Sequence, residues 1–499
     1  LPPGIENIDM PSYKLLIEFA ASGGQIIQFS RLKTIDGSQN PLLDAFYKNE
    51  FPGLIKADSL DNSIISIYFS NKEFSIQYNE EQNGDLYHYR RKLMDGELLF
   101  LSNASLTHST KGSFTMNGGD LLLADLFSGE IYKYPNHKVH TGSSADFEIP
   151  AAGSLLFFIP SVKTNGYKEY KIQSLSGKTI DAPTHTVRKS DNSLTIDFCD
   201  LQIGDTLLKD AHVFDAADKV FKYYGFSDGN PWNTSVQFKD NTIKRDTFSK
   251  FTGFTATYFF NIQEDIDLST LKAVVENPHL YKVFMNEHEI FHDPVKWWLD
   301  KDFKVFEIGK YVHKGKNSVS IIASPMSVYA EIEPVYILGD FGLSSANNGW
   351  NIIKPQSLQL GSWKTQGMPM FGQQISYSKR ITISKNATKQ WLVQLGKWRG
   401  TVATIHVNNK PAGIIAIAPY VLDITGYLHG GQNTIEVNVI GSLKNVLGPF
   451  HRNPEPGMVS PWHWRYVKGY PSGNEYDIYD YGLMDDFKII ENEESVKPK

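Results

Sequence analysis

Phe306-Glu307-Ile308-Gly309-Lys310-Tyr311-Val312-His313-Lys314-Gly315-Lys316-Asn317-Ser318-Val319-Ser320-Ile321 decides the fold, because the chain writes it twice. The second copy is Leu422-Asp423-Ile424-Thr425-Gly426-Tyr427-Leu428-His429-Gly430-Gly431-Gln432-Asn433-Thr434-Ile435-Glu436-Val437, and the two align without a gap, Asn317 on Asn433. In each, a Tyr-[Val/Leu]-His turn follows an apolar pair. Gly-x-Asn then lets the chain reverse, since glycine tolerates φ > 0. A period-two run returns to a core, through Val319 and Ile321 in one copy and Ile435 and Val437 in the other. Upstream, Phe284-Met285-Asn286 parallels His406-Val407-Asn408, and Thr255–Phe259 parallels Gln374–Tyr377. A unit this long exceeds the 20–50 residues of solenoid repeats. It predicts a duplicated domain, two β-sandwiches in tandem.

Working towards the N-terminus, the pattern stays β as far as about Ile64. Ile65–Phe69, Phe74–Tyr78, Glu97–Leu101, Ser113–Met116, Phe147–Pro150 and Leu155–Ile159 alternate or run apolar as strands do. Asp95-Gly96 between two such runs predicts a hairpin. No long amphipathic helix is expected after this region. Before it, Tyr13–Ala21 has helical spacing and stops at Gly23-Gly24, Gln25–Phe29 reads as a strand, and Asn40–Asn49 as a second helix. That is part of a doubly wound layer, too few βα units for a whole one. The sequence opens Leu1-Pro2-Pro3-Gly4, without Met or a signal-peptide h-region. The expectation is a chain that begins in mid-domain.

Composition narrows the classes. The 499 residues are 41% hydrophobic and 21% charged, a globular balance that suggests roughly three or four domains. Net charge is −6 with no basic stripe interleaved with aromatics, which argues against nucleic acid. No run of about 18 apolar residues offers a membrane span. Cys199 is the only cysteine, so no intramolecular disulfide can form. It sits in the alternating run Leu194–Cys199 and reads as a buried small hydrophobe. Aromatic residues reach 13%, a supply of rings that either fill cores or stack on sugar C–H faces.

The repeated block resembles the sugar-binding jelly-roll domain of glycoside hydrolase family 2 and its relatives. Pro419–Ile424 before it, Leu443–Pro449 after it and Tyr481-Gly482-Leu483 at its close resemble the C-terminal region of large bacterial α-L-rhamnosidases. His88–Leu93 with Glu97–Asn103 is similar to the segment joining the Rossmann-like domain of those enzymes to their β-domains. Val295–Asp300 and Glu331–Phe341 resemble their first sandwich. The resemblance implies a parent glycoside hydrolase whose (β/α)8 barrel precedes these residues, so no catalytic carboxylate is carried over. It also implies a bacterial periplasmic or secreted setting, a plant-type polysaccharide or oligosaccharide as ligand, and the upstream catalytic domain as partner. Its domain plan is a partial α/β (Rossmann-like, trimerisation-type) segment at 1–85 and a β-sandwich at 86–210. Jelly rolls of the galactose-binding type follow at 211–345 and 346–492, then a tail at 493–499.

Candidate chemistry is sparse. Glu331 and Glu333, two apart on an expected strand, share a face and read either as an acid/base pair or as a solvated or salt-bridged edge. Asp485-Asp486 and Asp300-x-Asp302 invite a structural calcium ion, which needs six to eight oxygens from several segments. No cofactor is otherwise implied. His313 and His429 hold equivalent places and read as turn residues. Trp297 and Trp298 are adjacent, so at most one can face solvent, and core packing is the expectation. The strongest candidate is the long insertion of the second sandwich. There Trp462 and Trp464 would present an aromatic face, His463 and Arg465 would donate hydrogen bonds to hydroxyls, and Tyr466 follows. Packing of that insertion on its own sandwich is the competing reading. Three rivals to an accessory region stay open: a free-standing carbohydrate-binding protein, a complete enzyme with its site between sandwiches, and a structural interaction module.

Overall fold

A computed structural model describes residues 1–48, 53–57, 74–78, 85–126, 128–140, 142–170, 175–233, 240–384, 389–447 and 469–492. The chain is mainly β and divides into two compact units, Leu1–Lys171 and Ile172–Lys499.

The first unit opens with the expected α/β elements. Helix Met10–Ala21 starts where the Asp9 carboxylate accepts the Ser12 amide at 2.7 Å, with Pro11 in the first turn, and gives way at Ser22 to Gly23 with φ +87°. Strand Ile26–Gln28 pairs in parallel with Leu54–Lys56, and helix Pro41–Lys48 buries Leu43 and Phe46 against Tyr13. A sandwich follows. One sheet runs through Leu86–Lys92, Gly96–Asn103, Ser154–Pro160 and Leu122–Ala124; the other through Phe74–Tyr78, Thr110–Met116 and Gly142–Ile149. Leu99, Leu101, Phe114, Phe147 and Phe157 close the core between them. The Asp95-Gly96 hairpin forms as expected, with Leu93 donating its N–H to Gly96 O at 2.8 Å. The strand expected at 65–69 lies outside the described residues.

The second unit holds two sandwiches of matching strand order. In the first, one sheet runs Asn192–Ile196, Val335–Gly339, Lys272–Glu276, Asp300–Glu307; the other runs Phe198–Ile203, Phe254–Ile262, Gly315–Ala323, Lys282–Met285, His288–Ile290. In the second, the corresponding orders are Lys178–Ile180, Lys488–Asn492, Gln390–Gln394, Val421–Asp423, and His185–Arg188, Gln374–Ile383, Gly431–Ile440, Val402–Val407, Lys410–Ile415. The duplication is thus visible strand by strand. Strands Lys178–Ile180, His185–Arg188 and Asn192–Ile196, expected inside a sandwich ending at 210, pair instead with strands far downstream: Thr179 with Ile490, Val187 with Ser376, Leu194 with Ile337. Helix Val213–Tyr223 also corrects the expectation of an all-β region. Its buried face, Val213, Ala216, Ala217, Val220 and Phe221, has helical spacing, but alanines carry little apolar signal.

The repeated Gly-x-Asn is a side-chain clasp. Asn317, 1% exposed, donates from Nδ2 to His313 O (2.7 Å) and Gly315 O (2.9 Å). Its Oδ1 accepts from the His313 amide (3.0 Å) and from Asn286 Nδ2 (3.2 Å), while Asn286 Oδ1 accepts the Ser318 amide (3.0 Å). Asn433 repeats every bond, to His429 O (2.7 Å), Gly431 O (3.1 Å), the His429 amide (3.1 Å) and Asn408 Nδ2 (2.8 Å). Gly315 and Gly431 have φ of +96° and +97°, and Asn286 and Asn408 φ of +54° and +53°. All four hydrogen-bonding sites of each buried amide are filled.

Replacing Asn317 or Asn433 by Ala leaves several buried backbone groups unpaired, each costing about 1–3 kcal/mol. Each variant should lower the urea midpoint of its sandwich by an amount equivalent to roughly 2–4 kcal/mol. His429→Ala, at an exposed ring, should change it by less than about 0.5 kcal/mol. Equal midpoints for N433A and H429A would show that the clasp is dispensable.

Candidate functional site

A concavity with an exposed aromatic lies on the first sandwich of the second unit. Edge strand Trp297–Trp298 pairs with Asp300–Glu307 through a register shift: Trp297 lies opposite Lys304, and Trp298 opposite Asp300. Leu299 between them has φ +62°. This irregularity breaks the strict alternation of a strand and re-aims side chains. Both tryptophans consequently line one open cleft of about 390 Å³, with Asp191, Lys272, Val295, Lys296, Glu307 and Leu338. Trp297 is 52% exposed, whereas Trp298 meets the Tyr336 ring at 5.2 Å, and Tyr336 stacks on Phe303 at 5.7 Å. Core packing, the expectation for the pair, holds only for Trp298.

Charge in the cleft comes as two ion pairs. Lys272 Nζ donates to Asp191 Oδ2 at 2.6 Å, and Lys296 Nζ to Glu307 Oε1 at 3.0 Å. The hydrogen bond from Lys296 to Glu307, and the charge of that carboxylate, hold the Lys296 amine above its usual range. The arrangement offers one broad π-face rimmed by alternating donors and acceptors. Such a surface suits a ligand with a C–H face and a belt of hydroxyls.

Glu331 and Glu333 do not flank a substrate. They precede strand Val335–Gly339 and, with Glu276, Asn277 and Tyr281, line a cavity of about 30 Å³, room for about one water and not for a pyranose ring. Asn230 Nδ2 donates to Glu331 Oε1 at 2.6 Å. Burial, reinforced by the neighbouring carboxylates, pushes Glu276 up to about 7 and Glu333 well above its ordinary value; burial also raises Glu331. Neither the facing pair nor the solvated edge describes them. They are a shielded acidic cluster that the sequence could not show, because Glu276 joins it from a distant strand.

A second buried polar group sits where the unit's chain ends meet. Tyr476 donates its hydroxyl to Asp197 Oδ1 at 3.1 Å, and His212 Nε2 faces Asp197 Oδ2 at 3.7 Å. His212 Nδ1 accepts the Phe214 amide at 3.4 Å. Phe198 stacks on Tyr470 at 4.2 Å and 10°.

The remaining expectations resolve as follows. Trp462, His463, Trp464, Arg465 and Tyr466 lie outside the described residues. Leu447, at the near end of that segment, packs against the apolar cluster of Val274, Val305, Tyr336 and Leu338 that also holds Trp298. Asp486 is engaged by Thr184 Oγ1 (2.7 Å) and Lys379 Nζ (2.7 Å), and Asp485 accepts the Lys397 amide (3.0 Å). Asp300 accepts the Asp302 amide at 3.0 Å, a local turn. Among the described residues, no three His, Cys, Asp or Glu side chains are grouped to hold a metal ion. His313 and His429 each place Nδ1 against the next carbonyl, at 2.8 and 3.0 Å, as turn residues do. Cys199 is 2% exposed, and burial raises its thiol far above the ordinary value.

No protein-family profile matches the chain. A protein of Formosa agariphila named "Putative beta-glucuronidase" is 28% identical over 144 residues, covering 26% of this chain and 12% of that protein. Among solved structures, a rhamnosidase from Novosphingobium sp. PP1Y is similar over 97% of this chain and 33% of its own, at 10% identity and a TM-score of 0.43. The α-L-rhamnosidase of Streptomyces avermitilis is similar over 84% and 40%, at 12% identity and a TM-score of 0.24. Family 2 glycoside hydrolases also appear, one of them from Bacteroides cellulosilyticus over 50% and 31%, at 8% identity and a TM-score of 0.20. The neighbours are glycoside hydrolases. The chain spans about a third of the Novosphingobium rhamnosidase and about an eighth of the Formosa protein.

The acidic cluster gives a pH signature. A carboxyl raised from 4.5 to about 7 holds a proton in the folded state that the unfolded chain has released. Its stabilising contribution is complete below about pH 4.5, falls as pH rises, and is lost above about pH 7. Glu276→Gln should flatten that decline and stabilise the chain at pH 8 by on the order of 2–3 kcal/mol. Urea midpoints at several pH values check this; profiles parallel to wild type would contradict it.

Proposed function

We propose that this chain is a non-catalytic, glycan-binding β-sandwich region of a glycoside hydrolase of the α-L-rhamnosidase type. The observation that carries the reading is the Trp297 cleft: a half-exposed indole fixed by a strand irregularity, walled by Trp298 and rimmed by the Lys272–Asp191 and Lys296–Glu307 pairs. A pyranose stacks its C–H face on such an indole while its hydroxyls exchange hydrogen bonds with the rim. The duplicated jelly-roll architecture and the hydrolase resemblance of the repeated block support the wider setting. In that setting the sandwiches support a catalytic barrel elsewhere in the same polypeptide, and the protein works in the periplasm or outside the cell on plant-type polysaccharide.

Electrophoresis of the purified chain through native gels cast with individual soluble polysaccharides tests this. At least one neutral polymer should retard it, and Trp297→Ala should weaken that retardation tenfold or more, about 1.4 kcal/mol or more. The chain should not release nitrophenol from nitrophenyl α-L-rhamnoside. Mobility unaffected by every polymer would remove the binding role, and sustained turnover of the rhamnoside would remove the non-catalytic one.

A further inference from the structure

The first unit carries an aromatic surface that the Trp297 cleft does not explain. Among the described residues, strand Leu86–Lys92 is an edge strand, paired on one side only, with Gly96–Asn103. By register His88 and Arg90 share the side of Leu101 and Leu99, although the His88 side chain is itself solvent-exposed. The His88 ring lies 5.5 Å from that of Phe74, and the Arg90 guanidinium lies 4.3 Å over Phe74 and pairs with Glu97. Tyr87, Tyr89 and Arg91 therefore project together from the opposite face. Tyr87 and Tyr89 are 63% and 65% exposed, and neither makes a ring contact among the described residues. Arg91 is exposed and has no carboxylate partner among the described residues.

The register widens this row into a platform. Tyr89 lies opposite Phe100, and Phe100 opposite Leu156; Arg91 lies opposite Leu98, and Leu98 opposite Phe158. Tyr87 lies opposite Ser102, and Ser102 opposite Ser154, so the row at that end is polar. Alternate residues of a strand stand about 7 Å apart, and neighbouring strands about 4.8 Å. The result is a sheet face with two phenol residues in series, a cation next in line and hydroxyls alongside.

We propose that Tyr87, Tyr89 and Arg91 form a second glycan-binding surface, selective for an acidic polysaccharide that bears carboxylates on its sugar rings. Successive rings lie on the two phenols, and the Arg91 guanidinium, always charged and able to hold a carboxylate with two parallel hydrogen bonds, reads the acid. The overall charge of −6 does not attract a polyanion, so retention on one requires a local cation. Charge complementarity selects this occupant. The site lies on the other unit and stands whether or not the Trp297 cleft binds sugar.

The test is affinity electrophoresis of the full chain in gels containing polygalacturonate, fully methyl-esterified polygalacturonate or a neutral glucan. Wild type should be retarded at least fivefold more strongly by the acid than by its methyl ester. The double variant Tyr87→Ala/Tyr89→Ala should lose tenfold or more of that affinity. Arg91→Gln should abolish the preference for acid over ester, and Trp297→Ala should leave the preference intact. All three positions are exposed, so unchanged circular dichroism and melting would show that the fold is preserved. Equal retardation by acid and ester overturns the proposal, as does a double variant indistinguishable from wild type. Loss of acid binding in Trp297→Ala alone transfers the effect to the cleft and overturns it. A concentration-dependent dimer in sedimentation that Tyr89→Ala dissolves assigns the face to a second copy of the chain and overturns it too.

Discussion

A buried asparagine amide has two protons to give and two lone-pair positions to fill, and in a sandwich core there is no water to take them. Asn317 and Asn433 meet that demand in the same way, each closing a loop on its own histidine turn and reaching across to a second asparagine, Asn286 or Asn408. The clasp sets where the long central strand begins: Gly315–Ala323 in one copy, Gly431–Ile440 in the other. Those strands pair along their whole length with Phe254–Ile262 and Gln374–Ile383. A slip of one residue there would turn Val319 and Ile321, or Ile435 and Val437, outwards. The turn thereby fixes which residues reach the core.

The cleft shows how a local departure from regularity makes a site. A regular strand would send Trp297 and Trp298 to opposite faces. The shift in register and the left-handed backbone at Leu299 bring both to one wall, with Tyr336 and Phe303 as backing. The stacked rings of Tyr336 and Phe303 back Trp298 in this wall. The same unit hides its excess acid. Glu276, Glu331 and Glu333 line a space the size of a water molecule, where burial, reinforced by the neighbouring carboxylates, favours the protonated form of Glu276 and Glu333.

The sequence was a good guide to local, periodic features. The Gly-x-Asn repeat, the Asp95-Gly96 hairpin, the N-terminal helices and the burial of Cys199 rest on near neighbours, and each was legible. Features assembled across distance were not. Lys272 and Asp191 meet over eighty-one positions, and Glu276 joins Glu331 by way of the sheet. Nothing in Val295–Asp300 announces the register shift that exposes Trp297. His88–Leu93 was read for its resemblance, while the side of the sheet on which Tyr87, Tyr89 and Arg91 stand is shown only by the strand pairing. Helix Val213–Tyr223 escaped because its inner face leans on two alanines.

The order of strands in the second unit is nested rather than sequential. Lys178–Ile180 and His185–Arg188 belong to the second sandwich, yet Asn192–Ile196 and Phe198–Ile203, which come next, already belong to the first. The entire first sandwich is therefore an insertion between the opening two strands of the second and the rest of it. During synthesis those two opening strands emerge with no partner. They wait while the inserted body folds, and are taken up only when Gln374–Ile383 and Lys488–Asn492 arrive. A cut between the two sandwiches at any single peptide bond leaves one of them short of two strands.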